Sequence, residues 1–271
     1  MEIPDADKIR WGIEAAGLGR SVCQPYAYQN GALWTLLSSQ PNDGTQPNRL
    51  TMFNGGCFKF DYSLWSSIKA ARLRDIVAGY PLFDNEFAQS SEGIRFFVEV
   101  DYRTSVVAVQ PSRVRLLADA VVIQSVLRGL FPQHDCSCVF LDCHLKMKTE
   151  DTVAVGSHLI FSGLVVDSET GAKLCAVIQG QTKLAVDSAP YKTNFASLRP
   201  VFSRKLAVCP DCRGFAGLQT DCVVCKGVGK VGQGSYYIPR KVIDRVGRVK
   251  EYQGEDTSII PDGVGLFTNF Y

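Results

Sequence analysis

The sequence lacks long apolar runs. No stretch of its 271 residues approaches the roughly 18 uncharged apolar residues of a membrane-spanning helix. Its first twenty residues contain acids and no apolar segment of signal-peptide length. We therefore expect a soluble, intracellular protein with no membrane contact.

An excess of charge of either sign is also missing, because 29 Lys and Arg residues face 27 Asp and Glu residues and leave a net charge of +2. This excludes a histone-like polycation and an acidic disordered tail. The distribution is nevertheless uneven, since the segment 190–250 holds twelve basic and three acidic residues, a net +9, and the remainder sums to −7. Such a basic segment favours a polyanionic partner, although a solvated basic face without a partner is the alternative.

The ten cysteines are too few for a disulfide scaffold in a chain of this length. Four of them form two Cys-x-x-Cys pairs separated by nine residues, Cys209/Cys212 and Cys222/Cys225. Two such pairs can close a tetrahedral Zn²⁺ site, one knuckle each. Disulfides or a redox pair are the alternative, which an intracellular location disfavours.

Three other patterns carry less weight. Both cysteine pairs continue as Cys-x-x-Cys-x-Gly, similar to the zinc region of DnaJ chaperones, but that family has four repeats and a His-Pro-Asp tripeptide that this chain lacks. The Gly-x-Gly-x-x-Gly at 227–232 follows a cysteine pair rather than a strand, and no phosphate-binding loop of the NTPase type is present. A second Cys/His cluster could bind zinc, but its strand-like alternation predicts buried cysteines instead: His134, Cys136, Cys138, Cys143 and His144.

Hydrophobic periodicity predicts two helices, behind a Ser cap at 66–80 and behind Pro111-Ser112 at 113–131. A turn-rich loop is predicted at 38–49. β-Branched and aromatic runs predict strands at 94–100, 104–109, 138–143, 157–166, 173–179 and 182–186. Long helices among several strands favour an α+β fold, or an α/β one, around a sheet layer.

Two acids lie two residues apart in an otherwise apolar strand. Glu99 and Asp101 must therefore point to the same face. Their charges repel unless a cation lies between them, and Mg²⁺ or Mn²⁺ prefers such oxygen ligands. The alternative is ordinary charge on an exposed face.

Two further segments bear on the choice. Gly156-Ser157-His158 begins an apolar strand, and Asp187 closes another, followed by Tyr191, Asn194, Leu198-Arg199 and Lys205. In this order the motifs resemble those of the archaeo-eukaryotic primase (primase-polymerase) superfamily, in the style of the primases of large DNA viruses and their eukaryotic relatives. The resemblance covers roughly residues 93–235. Glu99 stands where Asp is commoner, Gly156 is the small residue before the His, and the zinc cysteines lie unusually close together.

The resemblance implies an α+β catalytic core with a mixed or antiparallel, RRM-like sheet flanked by helices, plus a small zinc-binding module. The implied domains are an N-terminal helical and loop region that packs on the core (1–90), the core (91–206), the zinc module (207–235) and a basic C-terminal segment (236–271).

It also implies a DNA-dependent nucleotidyltransferase that makes or extends primers on single-stranded DNA by two-metal phosphoryl transfer. The implied ligands of Mg²⁺ or Mn²⁺ are Glu99, Asp101 and Asp187. The implied contacts of the nucleoside triphosphate are Ser157, His158, Arg199 and Lys205. We expect the four zinc cysteines to support binding of the strand, together with Lys226, Lys230, Arg240, Lys241 and the rings of Tyr236 and Tyr237.

The expected partners are single-stranded DNA, nucleoside triphosphates and a replicative helicase supplied by another chain, at the site of DNA replication. Two alternatives remain open. One is a catalytically reduced, zinc-containing nucleic-acid-binding protein of the same fold. The other is a zinc-stabilised interaction protein without a nucleic-acid role.

Overall fold

The computed structural model describes residues 31–40, 48–52, 57–60, 62–78, 82, 84–89, 93–105, 108–143, 146–147, 151–192, 195–200, 203, 205–209, 211–213, 222–223, 230–233, 237–255 and 257. The chain divides into two discontinuous units. The first comprises Met1–Asn85 and Phe202–Gly234, and the second comprises Glu86–Val201 and Ser235–Tyr271. The cysteine pairs therefore share a unit with the N-terminal region, whereas the C-terminal segment shares one with the acid-pair strand.

The helices and strands follow one another in this order: α1 (Ala32–Ser38), β1 (Asn48–Met52), β2 (Cys57–Phe60), a 3₁₀ turn (Tyr62–Leu64), α2 (Trp65–Val77), β3 (Asp84–Gln89), β4 (Ile94–Ser105), α3 (Val109–Leu130), β5 (Cys138–Cys143), β6 (Lys146–Met147), β7 (Thr152–Val166), α4 (Ser168–Thr182), β8 (Val186–Asp187), β9 (Tyr191–Lys192), β10 (Phe195–Leu198), β11 (Lys205–Val208), β12 (Lys230–Gln233), β13 (Tyr237–Ile243) and β14 (Val249–Glu251). No helix in the described part of the chain is long and apolar enough to cross a membrane.

The second unit is built on an antiparallel sheet with the strand order β14-β13-β5-β7-β4-β8, and β6 adds to the side of β7. Helix α3 connects β4 to β5, and α4 connects β7 to β8. Within this sheet the order β8-β4-β7-β5 is that of a βαββαβ unit, the split βαβ or ferredoxin-like arrangement. The fold is thus α+β, one of the two classes expected from the sequence, and the sheet is antiparallel, one of the two forms that the resemblance implied.

Helix α3 covers one face of this sheet. The Tyr102 hydroxyl on β4 donates to the Asp119 carboxylate on α3. Arg113 on α3 pairs with Asp142 on β5 at 3.6 Å. Side chains alternate between the two faces along a strand. Glu99 is three residues from Tyr102 on β4, so it points to the face away from α3.

Apolar side chains are buried on both faces of this sheet. Phe97 and Ile160 lie on the same face as Glu99, Phe161 lies on the opposite face, and Ile123 is on α3. None of these four side chains has exposed surface. Burying a side chain of this size contributes on the order of 2 kcal/mol. The strands are therefore held firmly beneath the candidate site.

The predicted strand at 173–179 is wrong, because these residues lie in α4. Asp167 caps that helix by accepting a hydrogen bond from the Thr170 amide at 2.6 Å. The run of apolar residues read as a strand instead buries Leu174 and Ile178, which lie four residues apart on one helix face.

Two other strand predictions were partly wrong. The segment 182–186 begins with the last residue of α4, and only Val186 joins the short strand β8. The segment 104–109 contributes its first two residues to the end of β4 and its last to the start of α3. Strands at 94–100, 138–143 and 157–166 are confirmed, although β4 and β7 are longer than predicted.

In the first unit, the N-terminus of α1 is capped by a side chain that is remote in sequence. The Asp75 carboxylate on α2 accepts hydrogen bonds from the amides of Ala32 at 2.6 Å and Leu33 at 2.9 Å. Gly31 permits this approach, since a Cβ there would lie 2.6 Å from Oδ2 of Asp75. Helix α2 confirms the predicted helix, but its N-cap is Leu64, without a side-chain hydrogen bond, rather than a serine.

The cysteine segment, residues 209–229 with both Cys-x-x-Cys pairs, connects β11 to β12 in the sequence of the first unit. These two strands pair antiparallel. Their register places Lys205 opposite Gln233 and Val208 opposite Lys230. Cys209 follows β11 directly. The pairing of the two strands therefore brings the two ends of the cysteine segment together.

Candidate functional site

Strand register assembles the candidate site on the sheet face away from α3. Glu99 on β4 lies opposite His158 on β7 and, on its other side, opposite Asp187 on β8. Residues directly opposite in antiparallel strands have Cβ atoms about 5 Å apart and share a face. Three strands that are distant in sequence thus bring together three of the residues expected from the sequence.

Asp101 extends the same face by one step along β4. It lies opposite Gly156 on β7, and a Cβ at position 156 would overlap Oδ1 of Asp101. Gly156 is therefore the residue that leaves room for this carboxylate. The sequence showed only that a small residue precedes His158, not what occupies the space.

Glu99 is held by three side chains. Its Oε1 lies 3.5 Å from Nε2 of His158 and accepts a hydrogen bond from the Tyr237 hydroxyl at 3.2 Å. Burial acts to raise the pKa of Glu99, but the nearby His158 imidazole, the Arg199 guanidinium and the Tyr237 hydroxyl together lower that pKa to about 2. The carboxylate is therefore ionised throughout the physiological pH range.

Tyr237 is a member of this site that the sequence did not reveal. Its ring stacks on His158 with centroids 3.5 Å apart and an interplanar angle of 24°. The Arg199 guanidinium carbon lies 5.3 Å from the Tyr237 ring centroid. Only 2% of the surface of Tyr237 is exposed, so its ring is not available for base stacking. The expectation that Tyr237 stacks on bases of a bound strand is therefore wrong. In sequence it lies 138 residues from Glu99, and no local pattern links the two.

His158 is buried, with 1% of its surface exposed. Neither ring nitrogen has a hydrogen-bond partner among the described residues, although Nε2 lies 3.5 Å from Oε1 of Glu99. Its closest described partners are therefore Glu99 and Tyr237.

Of the other three residues expected to contact the triphosphate, one lies at the carboxylate site and two do not share its sheet face. Arg199 lies at the site, close enough to lower the pKa of Glu99. Ser157 is 1% exposed and lies opposite Val100 and Asp142, which places it on the face towards α3. Lys205 lies in β11 of the first unit, and its side chain is outside the described residues.

Tyr191 anchors the segment that carries Asp187. Its hydroxyl accepts a hydrogen bond from the Phe97 amide at 2.9 Å and donates one to the Phe97 carbonyl at 2.8 Å. This occurs where the register between β4 and β7 shifts. Gly171 on α4 leaves space for the Tyr191 ring, which a Cβ there would overlap. Asp187 is further restrained because its Oδ1 accepts a hydrogen bond from the Ala189 amide at 2.7 Å.

A second candidate site is the cysteine cluster of the first unit. The thiols of Cys209, Cys212 and Cys222 lie within 4.8 Å of one another, and the first two are buried. The sulfur atoms of Cys209 and Cys222 are 3.8 Å apart. A tetrahedral site with Zn–S bonds of about 2.3 Å has sulfur–sulfur edges of about 3.8 Å. The cluster could thus hold a metal such as zinc; Cys225, the predicted fourth ligand, lies outside the described residues.

The second Cys/His cluster contributes buried thiols, as predicted for Cys136 and Cys138. Burial raises the pKa of each thiol, with further contributions from Asp135 at Cys136 and from Cys136 at Cys138. Such thiols remain protonated and unreactive. The side chains of Cys143 and His144 lie outside the described residues.

Of the four basic residues expected to contact nucleic acid, the structure describes the side chains of two, Arg240 and Lys241. Lys241 on β13 is paired with Glu251 on β14. Arg240 is half-buried. Lys226, Tyr236 and the side chain of Lys230 lie outside the described residues.

No family model matches this chain, and no curated protein does so either. The geometry of the carboxylate site and the cysteine cluster therefore carries the functional inference.

Proposed function

We propose that the chain is a DNA-dependent nucleotidyltransferase of the primase-polymerase kind, which synthesises or extends primers on a single-stranded template. The observation that carries the proposal is the register of β4 between β7 and β8. It gathers Glu99, Asp187 and His158 on one sheet face, with Asp101 two residues along the same strand. These are the acid-x-acid, small-x-His and apolar-Asp motifs of the resemblance, and they come from three separate segments of the sequence.

The carboxylates fit a site for Mg²⁺ or Mn²⁺. Glu99, Asp101 and Asp187 offer hard oxygen ligands on one face, and the absence of a Cβ at Gly156 keeps space beside Asp101. Glu99 is ionised because His158, Arg199 and Tyr237 stabilise its charge. Divalent ions held there would supply the charge neutralisation needed for in-line attack of a primer 3′-hydroxyl on a nucleoside triphosphate.

Arg199 is the described cation best placed to bind the triphosphate. Its guanidinium lies beside the Tyr237 ring and near Glu99. Guanidinium groups bind phosphate oxygens through paired, charge-assisted hydrogen bonds. His158, which is buried between Glu99 and Tyr237, would instead orient the Glu99 carboxylate.

The cysteine cluster supports the proposal in a different way. A zinc ion bound by Cys209, Cys212, Cys222 and Cys225 would stabilise a short segment that has few apolar residues to fold upon. Such a module, with the lysines that flank it in sequence, would contribute to binding of the single strand.

An incorporation assay with all eight ribo- and deoxyribonucleoside triphosphates tests the proposal. The template is single-stranded DNA, with and without an annealed primer, and the cation is Mg²⁺ or Mn²⁺. We expect template-dependent incorporation that EDTA abolishes. Absence of incorporation from every nucleotide with either cation would contradict it.

A catalytically reduced nucleic-acid-binding protein of the same fold is the second candidate. One observation favours it: Oε1 of Glu99 is already engaged by His158 and Tyr237, and His158 is covered. This candidate predicts salt-dependent binding of single strands without incorporation. Measuring single-strand binding and nucleotide incorporation on one preparation therefore distinguishes the enzyme from the catalytically reduced protein.

A further inference from the structure

A pocket of the second unit lies where the end of α3 meets the turn between β13 and β14. Its volume is about 490 Å³, and Arg128, Phe131, His134 and Arg245 are among the residues that line it. This volume is within the range of small-molecule sites. No acidic residue occurs among the described residues that line it, and none of its lining residues belongs to the carboxylate site.

The two arginines of this arginine pocket have no described counter-charge. Arg128 and Arg245 are exposed, and neither forms an ion pair with any residue that the structure describes. Arg248 on the same turn and Lys250 on β14 both pair with Asp244, at 3.2 and 2.9 Å. The carboxylate of this turn is thus shared by cations outside the pocket, and the pocket itself remains positively charged.

The turn is shaped to bring Arg128 against it. Gly247 has φ +88°, and a Cβ there would lie 3.3 Å from Nη1 of Arg128. A larger residue would therefore be strained and would press on the guanidinium. Gln124 ties α3 to the turn, since its Nε2 donates to the Asp244 carbonyl at 2.9 Å. The two arginines consequently reach one pocket from two elements that are fixed to each other.

We propose that the arginine pocket binds a phosphate group. Two guanidinium groups can each present paired N–H donors to phosphate oxygens. Phe131 adds an aromatic ring, and a base attached to that phosphate could stack on such a ring. The phosphate can belong to a single-stranded nucleic acid or be free in solution. Either source is compatible with the enzyme and with the catalytically reduced protein, so the site does not depend on the proposed function.

The test uses the full chain with Arg128→Gln and Arg245→Gln combined. Arg248→Gln combined with Lys250→Gln is the matched control, because it removes two exposed charges next to the same turn but outside the pocket. One probe is a fluorescent 20-nucleotide oligothymidylate, titrated at several NaCl concentrations. Loss of two phosphate contacts should reduce the slope of log K against log[NaCl] by roughly 1.4 in magnitude. The control should leave that slope unchanged.

The second probe is inorganic phosphate, followed by the backbone amide chemical shifts of Phe131 and Val246, which line the pocket and are retained in the double variant of the pocket. If the double variant has a reduced salt slope with oligothymidylate, the ligand of the pocket is a phosphate of a nucleic-acid strand. If the double variant loses the phosphate-induced shifts but binds oligothymidylate as the wild type does, the ligand is free phosphate. The proposal is overturned if the double variant of the pocket matches this control with both probes. Equal thermal unfolding midpoints for the double variant and the control show that both are folded.

Discussion

Glu99 shows how a mostly buried carboxylate is kept charged. Its side chain is 18% exposed, and the cost of burial is outweighed by His158, Arg199 and Tyr237. The ionised form is thus favoured more strongly in the folded than in the unfolded protein. Linkage then makes the stability of the fold depend on pH through this residue.

Glu99→Gln should remove this dependence. The pKa of Glu99 falls from its ordinary value of 4.5 to about 2 on folding, so its contribution to stability is fully present above about pH 4.5 and is lost as the pH falls towards 2. The contribution is on the order of 3 kcal/mol at most. We expect the difference in free energy of unfolding between wild type and variant, from urea denaturation, to shrink between pH 5 and pH 3. Glu169→Gln on the exposed face of α4 is the control, and an equal difference at every pH would contradict the account.

Tyr237→Phe should raise the pKa of Glu99. The substitution keeps the ring that stacks on His158 but removes the hydroxyl that donates to the Glu99 carboxylate. Loss of a donor to the charged form disfavours that form. Carbon NMR titration of the Glu99 carboxyl measures the change. Tyr252→Phe, which loses a hydroxyl bonded to the Glu255 carbonyl, should leave the titration unchanged; a Tyr237→Phe titration identical to wild type would show that the hydroxyl does not act on Glu99.

Among the elements, the short segment from β8 to β9 is anchored by the Tyr191 side chain. Tyr191→Phe should destabilise the second unit by about 1–3 kcal/mol, because the amide and carbonyl of Phe97 would lose their shared partner in a buried place. Tyr102→Phe, at a partly exposed hydroxyl, should cost less. The free energy of unfolding from urea denaturation compares the two. Equal losses would mean that Tyr191 contributes through its ring alone.

The element that carries the cysteine cluster should depend on metal. Cys222→Ser should release zinc and loosen residues 205–233, because a structural zinc contributes on the order of 10 kcal/mol to the folding of such a segment. Elemental analysis and amide hydrogen exchange measure both effects, and Cys175→Ser, at a buried thiol of the second unit, is the control. We expect one zinc per wild-type chain. No zinc in a metal-replete preparation would contradict the assignment, and two would indicate a second site.

The sequence predicted well the elements whose signals are local. The strands around Glu99 and Cys138 and the long helix α3 appear where periodicity placed them. The segment 173–179 was misread because a short apolar run fits a buried strand or a buried helix equally well. The cap at Asp167 was the signal that could have decided it.

The candidate site was predictable only in part. Glu99, Asp101, His158, Asp187 and Arg199 were all chosen from motif order. The position of Tyr237 was not predictable, because it arises from the pairing of β13 with β5, a contact far apart in sequence. Alternation along β7 places Ser157 on the face opposite His158 and therefore away from the carboxylate site.

At the scale of the whole molecule, charge counted along the sequence is a poor guide to charge on a surface. The basic segment 190–250 contributes to both units, and three of its cations, Lys241, Arg248 and Lys250, are paired with carboxylates. Arg128, which lies outside that segment, instead joins Arg245 in the arginine pocket. A partner's phosphates would therefore be bound at particular places rather than along the whole segment.

The central claim concerns the carboxylate face of the second unit. Nucleotide incorporation on a primed single-stranded template tests it most directly, with wild type, Asp101→Asn and Asp151→Asn assayed together. Asp151 is an exposed acid just before β7, so its substitution makes the same change of charge away from the site. We expect Asp101→Asn to abolish incorporation while it retains the wild-type unfolding midpoint and single-strand binding, and Asp151→Asn to retain activity. Incorporation by Asp101→Asn at the rate of Asp151→Asn would contradict the claim.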